Sequence, residues 1–474
     1  MSFKNSQGVA ADGTLVRLSR QNVVFEVYDP YSIVQLSEVL NELKIHQGNR
    51  ATYAGRAVIT GLLNTGLILI VSASLVDPWS DLKNLHPGET LRSFVRDFVS
   101  DWDEANIRVG DRFRSSVSNL RSYLQELRRW LEHWEMEADI DRENNSHRVL
   151  DFVRDVDREI YPRFADLNGE FEDATREVPR KDVPFHRALA QRELHPLLMV
   201  SPFMNRAFNK PLGYAGDFEM VRMMINEPWE GTNTYAKLVN ASALRHDAPA
   251  AHRNRIDLLQ RAITRETLRS LSAQFNGSNG YAPRTSSNGA HRRVQILNIG
   301  CGPAEEISRF VRSESTASNV DVRLVDFNRE TLNHVESTLL PEAKHFRPEM
   351  NLVTEQRSVH EILKMAQEEG HENAFDQKYD LVYCAGLFDY LRDATCGFLI
   401  ELFYEWVNPG GVVLVTNVTP NHSSVAMMGM VLDWNLELRD QQDMRDLAPD
   451  LGVQHSYVDS TGVNVFLEIR KPIE

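Results

Sequence analysis

The sequence predicts an α/β protein: a doubly wound, mostly parallel sheet with an antiparallel edge hairpin, preceded by a helical region and a small N-terminal β-barrel. Three observations carry that prediction. Apolar strand-like runs alternate with helical stretches from Val294 onward, the pattern of βα units. Apolar residues at three- and four-residue spacing mark long amphipathic helices in the middle of the chain. Short apolar runs punctuated by turn residues fill the N-terminal part. The resulting domains are residues 1–90, 91–200 and 201–474, the last with its own helical lid over 201–275. A chain of 474 residues has room for two or three domains and a sizeable core.

The N-terminal runs LVRLS, NVVFEVY, RATYAGRAVIT and GLILIVSA read as strands of a small antiparallel barrel or sandwich, ending in the DPWSDL run that starts at Asp77. One segment imitates a membrane span. VITGLLNTGLILIVSASLV, Val58 to Val76, carries no charge and approaches the roughly 20 residues a spanning helix needs. Asn64-Thr65-Gly66 interrupts it and β-branched residues flank the break, so two strands joined by a tight turn explain it better. This region resembles a degenerate PilZ-like barrel. Cyclic di-GMP binding, which that resemblance implies, uses an arginine-rich motif and an Asp/Asn-x-Ser-x-x-Gly motif, and neither is intact. Arg17 and Arg20 are too close together, and Asn64-Thr65-Gly66 is a remnant. The expectation is an interaction or dimerisation module through which the chain forms a homodimer.

Phe113, Val117, Leu120, Leu124, Leu127, Leu131 and Trp134 form one apolar stripe, and Val149, Phe152, Val153, Val156, Ile160 and Phe164 form a second. These predict packing helices without chemistry. From Pro202 the texture changes to PFMNRAFNKPLGYAGDFEMVRMMI, in which two glycines bracket Tyr214. Further helices follow, including His252-Arg253-Asn254-Arg255, and FNGSNGYAPRTSSNGA, Phe275 to Ala290, reads as a flexible loop. Strands are then predicted at Val294–Ile299, Asp321–Asp326, Tyr379–Cys384 and Gly411–Val418, with a weaker one near Asn351–Thr354. Gln454–Val458 and Asn464–Ile469 lack a long crossover between them and predict an antiparallel edge hairpin.

Composition narrows the function. A formal net charge of -15 argues against nucleic acid, which needs clustered Lys and Arg. Cys301, Cys384 and Cys396 show neither metal-ligand spacing nor a disulfide framework, so no metal is expected. The N-terminal MSFKNSQGVAADG lacks an apolar signal-peptide core, and a reducing cytoplasm is the expectation.

The chemistry begins at VQILNIGCGPAEEI, Val294 to Ile307: a strand, a glycine turn and a helix start. A dinucleotide fingerprint wants a third glycine or alanine where Glu305 stands, and a phosphate-binding loop wants an absent Gly-Lys-Ser/Thr. Glu305 and Glu306 would repel a pyrophosphate at the helix N-terminus. The ligand is then nucleoside-like and cationic, which suits S-adenosylmethionine. Gly300, Cys301 and Gly302 permit close backbone approach. Asp326 ends the second strand, 24 residues after Gly302, where an acid accepts both ribose hydroxyls. Phe327 is placed to pack on adenine, and Ser358 and Val359, beside Arg357, to read its amine. Cys384, Ala385 and Gly386 carry the fourth strand into the cleft, and Pro409-Gly410-Gly411 is the turn into the fifth.

In order and spacing, residues about 290–474 resemble a class I S-adenosylmethionine-dependent methyltransferase with its Rossmann-like sheet. Asn298 stands where that family often has an acid contacting the cofactor ammonium; an amide can accept the same hydrogen bond. KPLGYAGDFEM (Lys210 to Met220), YDLVYCAGLFDYL and DWNLELRD resemble a narrower group, the bacterial synthases of 3-hydroxy fatty acid methyl esters used as quorum-sensing signals of the 3-hydroxypalmitic acid methyl ester type. That resemblance implies a long-chain 3-hydroxy fatty acid substrate, free or carrier-bound. Its carboxylate is already ionised at neutral pH, so orientation, desolvation and in-line approach replace a general base. Lys210, Arg253, Arg255 and Asn417 are candidate carboxylate holders, Asn417 the best placed at the end of the fifth strand. Tyr214 is the candidate lid. Met223-Met224 and Ala426 to Met430 are candidates for an acyl tunnel. His422 is a base only if the acceptor is a hydroxyl. Methylation of another small molecule's hydroxyl or amine, and a non-catalytic cofactor-binding interaction protein, stay open.

Overall fold

A computed structural model describes the chain apart from residues 20, 28–33, 48–49, 65–68, 78–94, 97–98, 101, 104–106, 138–146, 276–291, 370–374, 376, 421 and 474. Alternating burial builds its N-terminal sheet. The strands are β1 (Ser2–Lys4), β2 (Ala10–Asp12), β3 (Thr14–Leu18), β4 (Asn22–Val27), β5 (Val39–Gln47), β6 (Arg50–Asn64) and β7 (Leu69–Leu75). They pair antiparallel in the order β2-β1-β5-β6-β7-β4-β3. In β4 every second residue is buried: Val23, Phe25 and Val27. Because β2 and β3 are one residue apart yet end opposite sides of the order, the sheet curls round its core of Phe3, Phe25, Tyr53, Ile59 and Val71. The span-like segment is a hairpin, with Val58 opposite Ser74 and Asn64 opposite Leu69. Its expected turn residues Thr65 and Gly66, like Arg20, lie outside the described residues.

The two apolar stripes become helices. α1 (Asp111–Glu137) buries Phe113, Val117, Leu120, Leu124 and Leu131; α2 (His147–Arg176) buries Val153 and Phe164. Trp134 stacks on Phe152 at 3.5 Å between ring centroids. α3 (Val183–Leu198), α4 (Pro202–Asn209), α5 (Phe218–Ile225), α6 (Thr234–Arg245) and α7 (Asp247–Phe275) follow. Pro202 and the cap Ser201, whose Oγ accepts from Met204 N, start α4, and Lys210 in a left-handed conformation ends it. The predicted loop beyond Phe275 lies outside the described residues.

The second sheet contains β8 (Val294–Ile299), β9 (Val320–Asp326), β10 (Asn351–Gln356), β11 (Tyr379–Cys384), β12 (Val407–Val418), β13 (Val453–Val458) and β14 (Asn464–Arg470). Its order is β10-β9-β8-β11-β12-β14-β13; the first five run parallel, and β14 pairs antiparallel with both β12 and β13. The doubly wound sheet and its edge hairpin are therefore present. Helices α8 (Glu305–Ser313), α9 (Arg329–Phe346) and α7 share one core with Ile296, Leu324 and Leu414. Helices α10 (Val359–Glu369), α11 (Asp393–Trp406) and α12 (Gln441–Asp446) share the other with Leu297, Val382 and Val413. The strand order reverses between β8 and β11, and in open sheets of this kind ligands bind beyond the carboxyl ends at such a switch point.

One expectation needs correcting. Pro409-Gly410-Gly411 is no turn before the fifth strand but a bulge inside β12, where the register to β11 shifts between Tyr379 and Leu381. A bulge tolerates the missing proline N–H, and it lies at the amino end of β12, away from the carboxyl ends of the strands.

The described residues form two compact units. The first comprises Met1–Gly216, Met223–Asp247 and Ser423–Asn435; the second comprises Asp217–Arg222, Ala248–His422 and Leu436–Glu474. Among the described residues no helix is long and apolar enough to cross a membrane.

Candidate cofactor cleft

β8 delivers the chain into a turn whose backbone few sequences tolerate. Gly300 (φ 69°), Gly302 (φ 53°) and Ala304 (φ 51°) are all left-handed. The glycines adopt this freely, whereas Ala304 accepts a strain of about 1–2 kcal/mol. Hydrogen bonds to β9 hold the turn: Gly300 N and Cys301 N donate to Val325 O at 2.8 and 3.0 Å. Gly302 N donates to the Asp326 carboxylate at 3.1 Å, and Asn328 N donates to its other oxygen at 2.9 Å. A side chain at Gly302 would meet nothing within 4 Å, so space remains beside this amide. Burial pushes the Asp326 carboxyl up to about 6 despite these donors. The group has lone pairs left and gains from further donors, such as the two hydroxyls of a ribose. Phe327 beside it is half-buried.

A buried polar trio faces the turn. Asn298 Nδ2 donates to Glu306 Oε1 at 3.3 Å, and Tyr383 on β11 donates its hydroxyl to the same oxygen at 2.7 Å. Burial raises the Glu306 carboxyl, and the Tyr383 hydrogen bond lowers it. Asn298 Oδ1 is buried with no hydrogen-bond partner among the described residues. An orphan of this kind costs about 1–3 kcal/mol, which an ammonium donor would recover. Burial pushes the thiols of Cys301 and Cys384 well up, so neither serves as a nucleophile.

Arg255 on α7 is 8% exposed. Its Nη2 lies 2.8 Å from His252 Nδ1, and a Cβ on Gly386 (φ 89°) would stand 2.9 Å from that nitrogen. The left-handed backbone favours glycine at 386, and a side chain there would have to displace the end of Arg255. Burial and the charges of Arg255 and Arg253 push His252 well below the usual imidazole range, so it is neutral and accepts through Nδ1. Asp389, after β11, is buried and accepts Val418 N at 2.6 Å; burial raises its carboxyl, and the nearby Arg255 lowers it.

Other candidates have structural engagements. The Ser358 hydroxyl and N–H donate to Glu361 at 2.8 and 2.7 Å, and Glu361 N returns a bond to Ser358 Oγ at 3.2 Å. This is a capping box for α10, which takes up the Ser358 hydroxyl proton and one of its two lone pairs. Val359 packs against the core. Asn417 Nδ2 donates to Glu437 O (2.7 Å) and Val418 O (3.1 Å), and its Oδ1 accepts Arg439 Nη1 at 2.8 Å.

Lys210 and Tyr214 belong to the first unit. Lys210 Nζ is buried and donates to Leu432 O at 2.9 Å and Phe208 O at 3.3 Å; burial lowers its ammonium to about 8, while Asp433 works against that shift. Gln191 donates to Asp433 Oδ1 at 3.0 Å. Glu172 accepts Ala426 N and Met427 N at 2.7 and 2.9 Å, capping the wide helical turn Met427–Val431, whose Met427, Met428 and Met430 are buried. Tyr214 is half-buried between Gly213 (φ 86°) and Gly216 (φ 74°), and Gly213 O accepts Val39 N at 2.8 Å.

The second unit therefore brings together Asn298, Gly300, Cys301, Gly302, Asp326, Phe327, Cys384, Ala385 and Gly386 around the strand ends. Sequence reasoning missed Glu306 as a buried partner, Tyr383, and Asp389. Their signals, a tyrosine inside an apolar strand and an acid just past its end, become meaningful only with the fold.

No protein-family model matches the chain, and no curated protein matches it in sequence. Among solved structures it is similar to a "possible exported protein" from Bordetella parapertussis, at 18% identity and TM-score 0.40, over 57% of this chain and 86% of that one. It is also similar to magnesium protoporphyrin IX methyltransferase from Synechocystis PCC 6803 with bound S-adenosylhomocysteine, at 11% identity and TM-score 0.32, over 48% of this chain and 85% of that one. Human N-acetylserotonin methyltransferase in complex with S-adenosylmethionine matches at 14% identity and TM-score 0.29, over 49% of this chain and 58% of the human one.

Proposed function

We propose that the chain is an S-adenosylmethionine-dependent methyltransferase that esterifies the carboxylate of a long-chain 3-hydroxy fatty acid. One observation carries the cofactor reading: the buried Asp326 carboxylate at the glycine turn and the orphaned Asn298 amide oxygen stand toward the carboxyl ends of adjacent parallel strands, β9 and β8. Asp326 would hold ribose hydroxyls and Asn298 the ammonium. Phe327 would cover adenine, and Gly300, Cys301, Gly302, Cys384, Ala385 and Gly386 would line the path between them. When bound, the cofactor supplies a methyl group activated on a sulfonium. The chain's own residues bind, orient and exclude water.

The acceptor reading is supported by the motif resemblance, and by the direct bond between Lys210 in KPLGYAGDFEM and Leu432 just ahead of DWNLELRD. Lys210 and Asn417 then act by fixing these segments in place, and Tyr214 remains the proposed lid. The N-terminal sheet is proposed as the interaction module. Purified protein with S-adenosylmethionine should convert long-chain 3-hydroxy acids to methyl esters, read by mass spectrometry. Each methylene removed should cost about 0.8 kcal/mol of binding. At saturating S-adenosylmethionine, with a carboxylate acceptor, the rate should show no base ionisation near neutrality, because the nucleophile is ionised well below about pH 6. A hydroxyl acceptor, the second reading, would instead need a base, such as His422 or the buried Asp389 after β11. A methyl ether product, or a rate rising through a base pKa, would select it over the ester.

Cofactor affinity should also depend on pH. The folded Asp326 carboxyl, at about 6, lies above its ordinary value. Its contribution to stability is thus present below about pH 4 and lost as pH rises through about 6. Binding has the opposite sense, because ribose donors favour the carboxylate. S-adenosylhomocysteine affinity, by calorimetry, should be flat above about pH 7 and fall through about 6. Asp326→Asn should flatten that profile; an unaltered fall would assign it to another group.

A further inference from the structure

We propose that Arg255, oriented by His252, is a carboxylate seat that holds the amino-acid end of the cofactor. This rests on the methyltransferase reading above and adds a residue on a helix outside the glycine turn and its strands. A guanidinium carries five N–H donors in a planar fork and stays charged in proteins. Arg255 is buried, yet among the described residues its hydrogen-bond partner is the neutral His252, and no carboxylate lies within ion-pair distance. Asp389 and Glu306 act on it only through longer-range attraction. Burying a cation without a paired anion is costly, so the arrangement is complete only with an anionic group.

The direction of the fork identifies that group. Nη2 and Nη1 lie 2.9 and 3.2 Å from where a Cβ on Gly386 would stand, at the carboxyl end of β11. Nearby stands the opposite chemistry: Asn298 Oδ1, without a partner among the described residues, near the end of the neighbouring strand β8, and the buried Glu306 carboxyl in the first turn of α8. A cation seat and an acceptor seat on adjacent strand ends suit the carboxylate and ammonium of one α-amino acid. The carboxylate being methylated suits the fork poorly, because charge pairing there would withdraw the electron density its oxygen must donate. Arg255 therefore fits the spectator carboxylate, and His252, which accepts from Nη2, is its positioning residue.

Two calorimetric comparisons test this. On the unaltered protein, S-adenosylhomocysteine should bind at least about tenfold more tightly than its decarboxylated analogue, the equivalent of one charge-assisted hydrogen bond. Arg255→Gln should weaken S-adenosylhomocysteine by a similar factor yet leave 5′-methylthioadenosine, which lacks the amino-acid end, within about twofold. Equal affinity for the two homocysteine ligands overturns the seat, as does an equal loss for both ligands in the variant. If the unaltered protein binds neither S-adenosylhomocysteine nor 5′-methylthioadenosine, the methyltransferase reading itself fails, a result distinct from losing Arg255's role.

Discussion

Asp326→Ala is expected to weaken S-adenosylhomocysteine binding by at least about tenfold while the second unit stays folded. The substitution removes an acceptor for two ribose hydroxyls, each hydrogen bond to a charged group contributing roughly 1.5–3 kcal/mol. It also frees Gly302 N and Asn328 N, which the carboxylate accepts at 3.1 and 2.9 Å, so the glycine turn loses one of its ties to β9. The fold should persist because the turn keeps its bonds from Gly300 N and Cys301 N to Val325 O. The raised carboxyl is itself a mild burden on the ligand-free protein, which further limits the loss of stability. Calorimetry against the unaltered protein, with circular dichroism as the check on folding, decides it. Unchanged affinity would remove Asp326 from the ribose role.

Arg439→Met should have the largest effect on stability, lowering it by about 3–5 kcal/mol. Arg439 is 3% exposed. Its Nη1 donates to Phe388 O and Asn417 Oδ1 at 2.9 and 2.8 Å, and its Nη2 donates to Leu391 O at 2.6 Å. Methionine fills part of the volume but leaves Asn417 Oδ1 unpaired, Phe388 O with only Leu391 N and the weak Cys396 thiol, and Leu391 O with that thiol alone, at about 1–3 kcal/mol for each lost partner that water cannot replace. The ion pair to Asp393 adds little, because that carboxylate is 81% exposed. A clear fall in the urea midpoint is the expected result; a midpoint within error of the unaltered protein would mean that water satisfies the three acceptors.

These two residues also mark how far the sequence could be read. Asp326 was legible because local rules specify it: a strand ends, glycines turn the chain, and the next strand ends in an acid at a set distance. The α1 stripe and the edge hairpin were legible for the same reason, since periodicity and connection length are local properties. Arg439 was not, because it is the far end of a network joining Phe388, Leu391 and Asn417, and nothing in LRD announces burial. Asn417 looked available at a strand end, and only its three partners reveal it as engaged. Ser358 stood in plain view as a capping box with Glu361, a local signal passed over in favour of a ligand role. Lys210 could not be placed from its own neighbourhood, since its partner Leu432 lies 222 positions away.

The segment Ser423–Asn435 belongs to the first unit although the chain on either side of it belongs to the second. This bears on synthesis. A ribosome releases the N-terminal sheet and α1 to α6 long before it makes the piece that completes them. Until residue 435 has emerged, the Glu172 carboxylate, the Lys210 ammonium and the Gln191 amide wait without the groups they bind in the finished protein. At about 5–20 residues per second the wait is on the order of ten seconds or more. The first unit to be translated thus cannot finish folding until most of the second has been made, and a nascent chain stalled before residue 423 should be far more open to proteases than its length suggests.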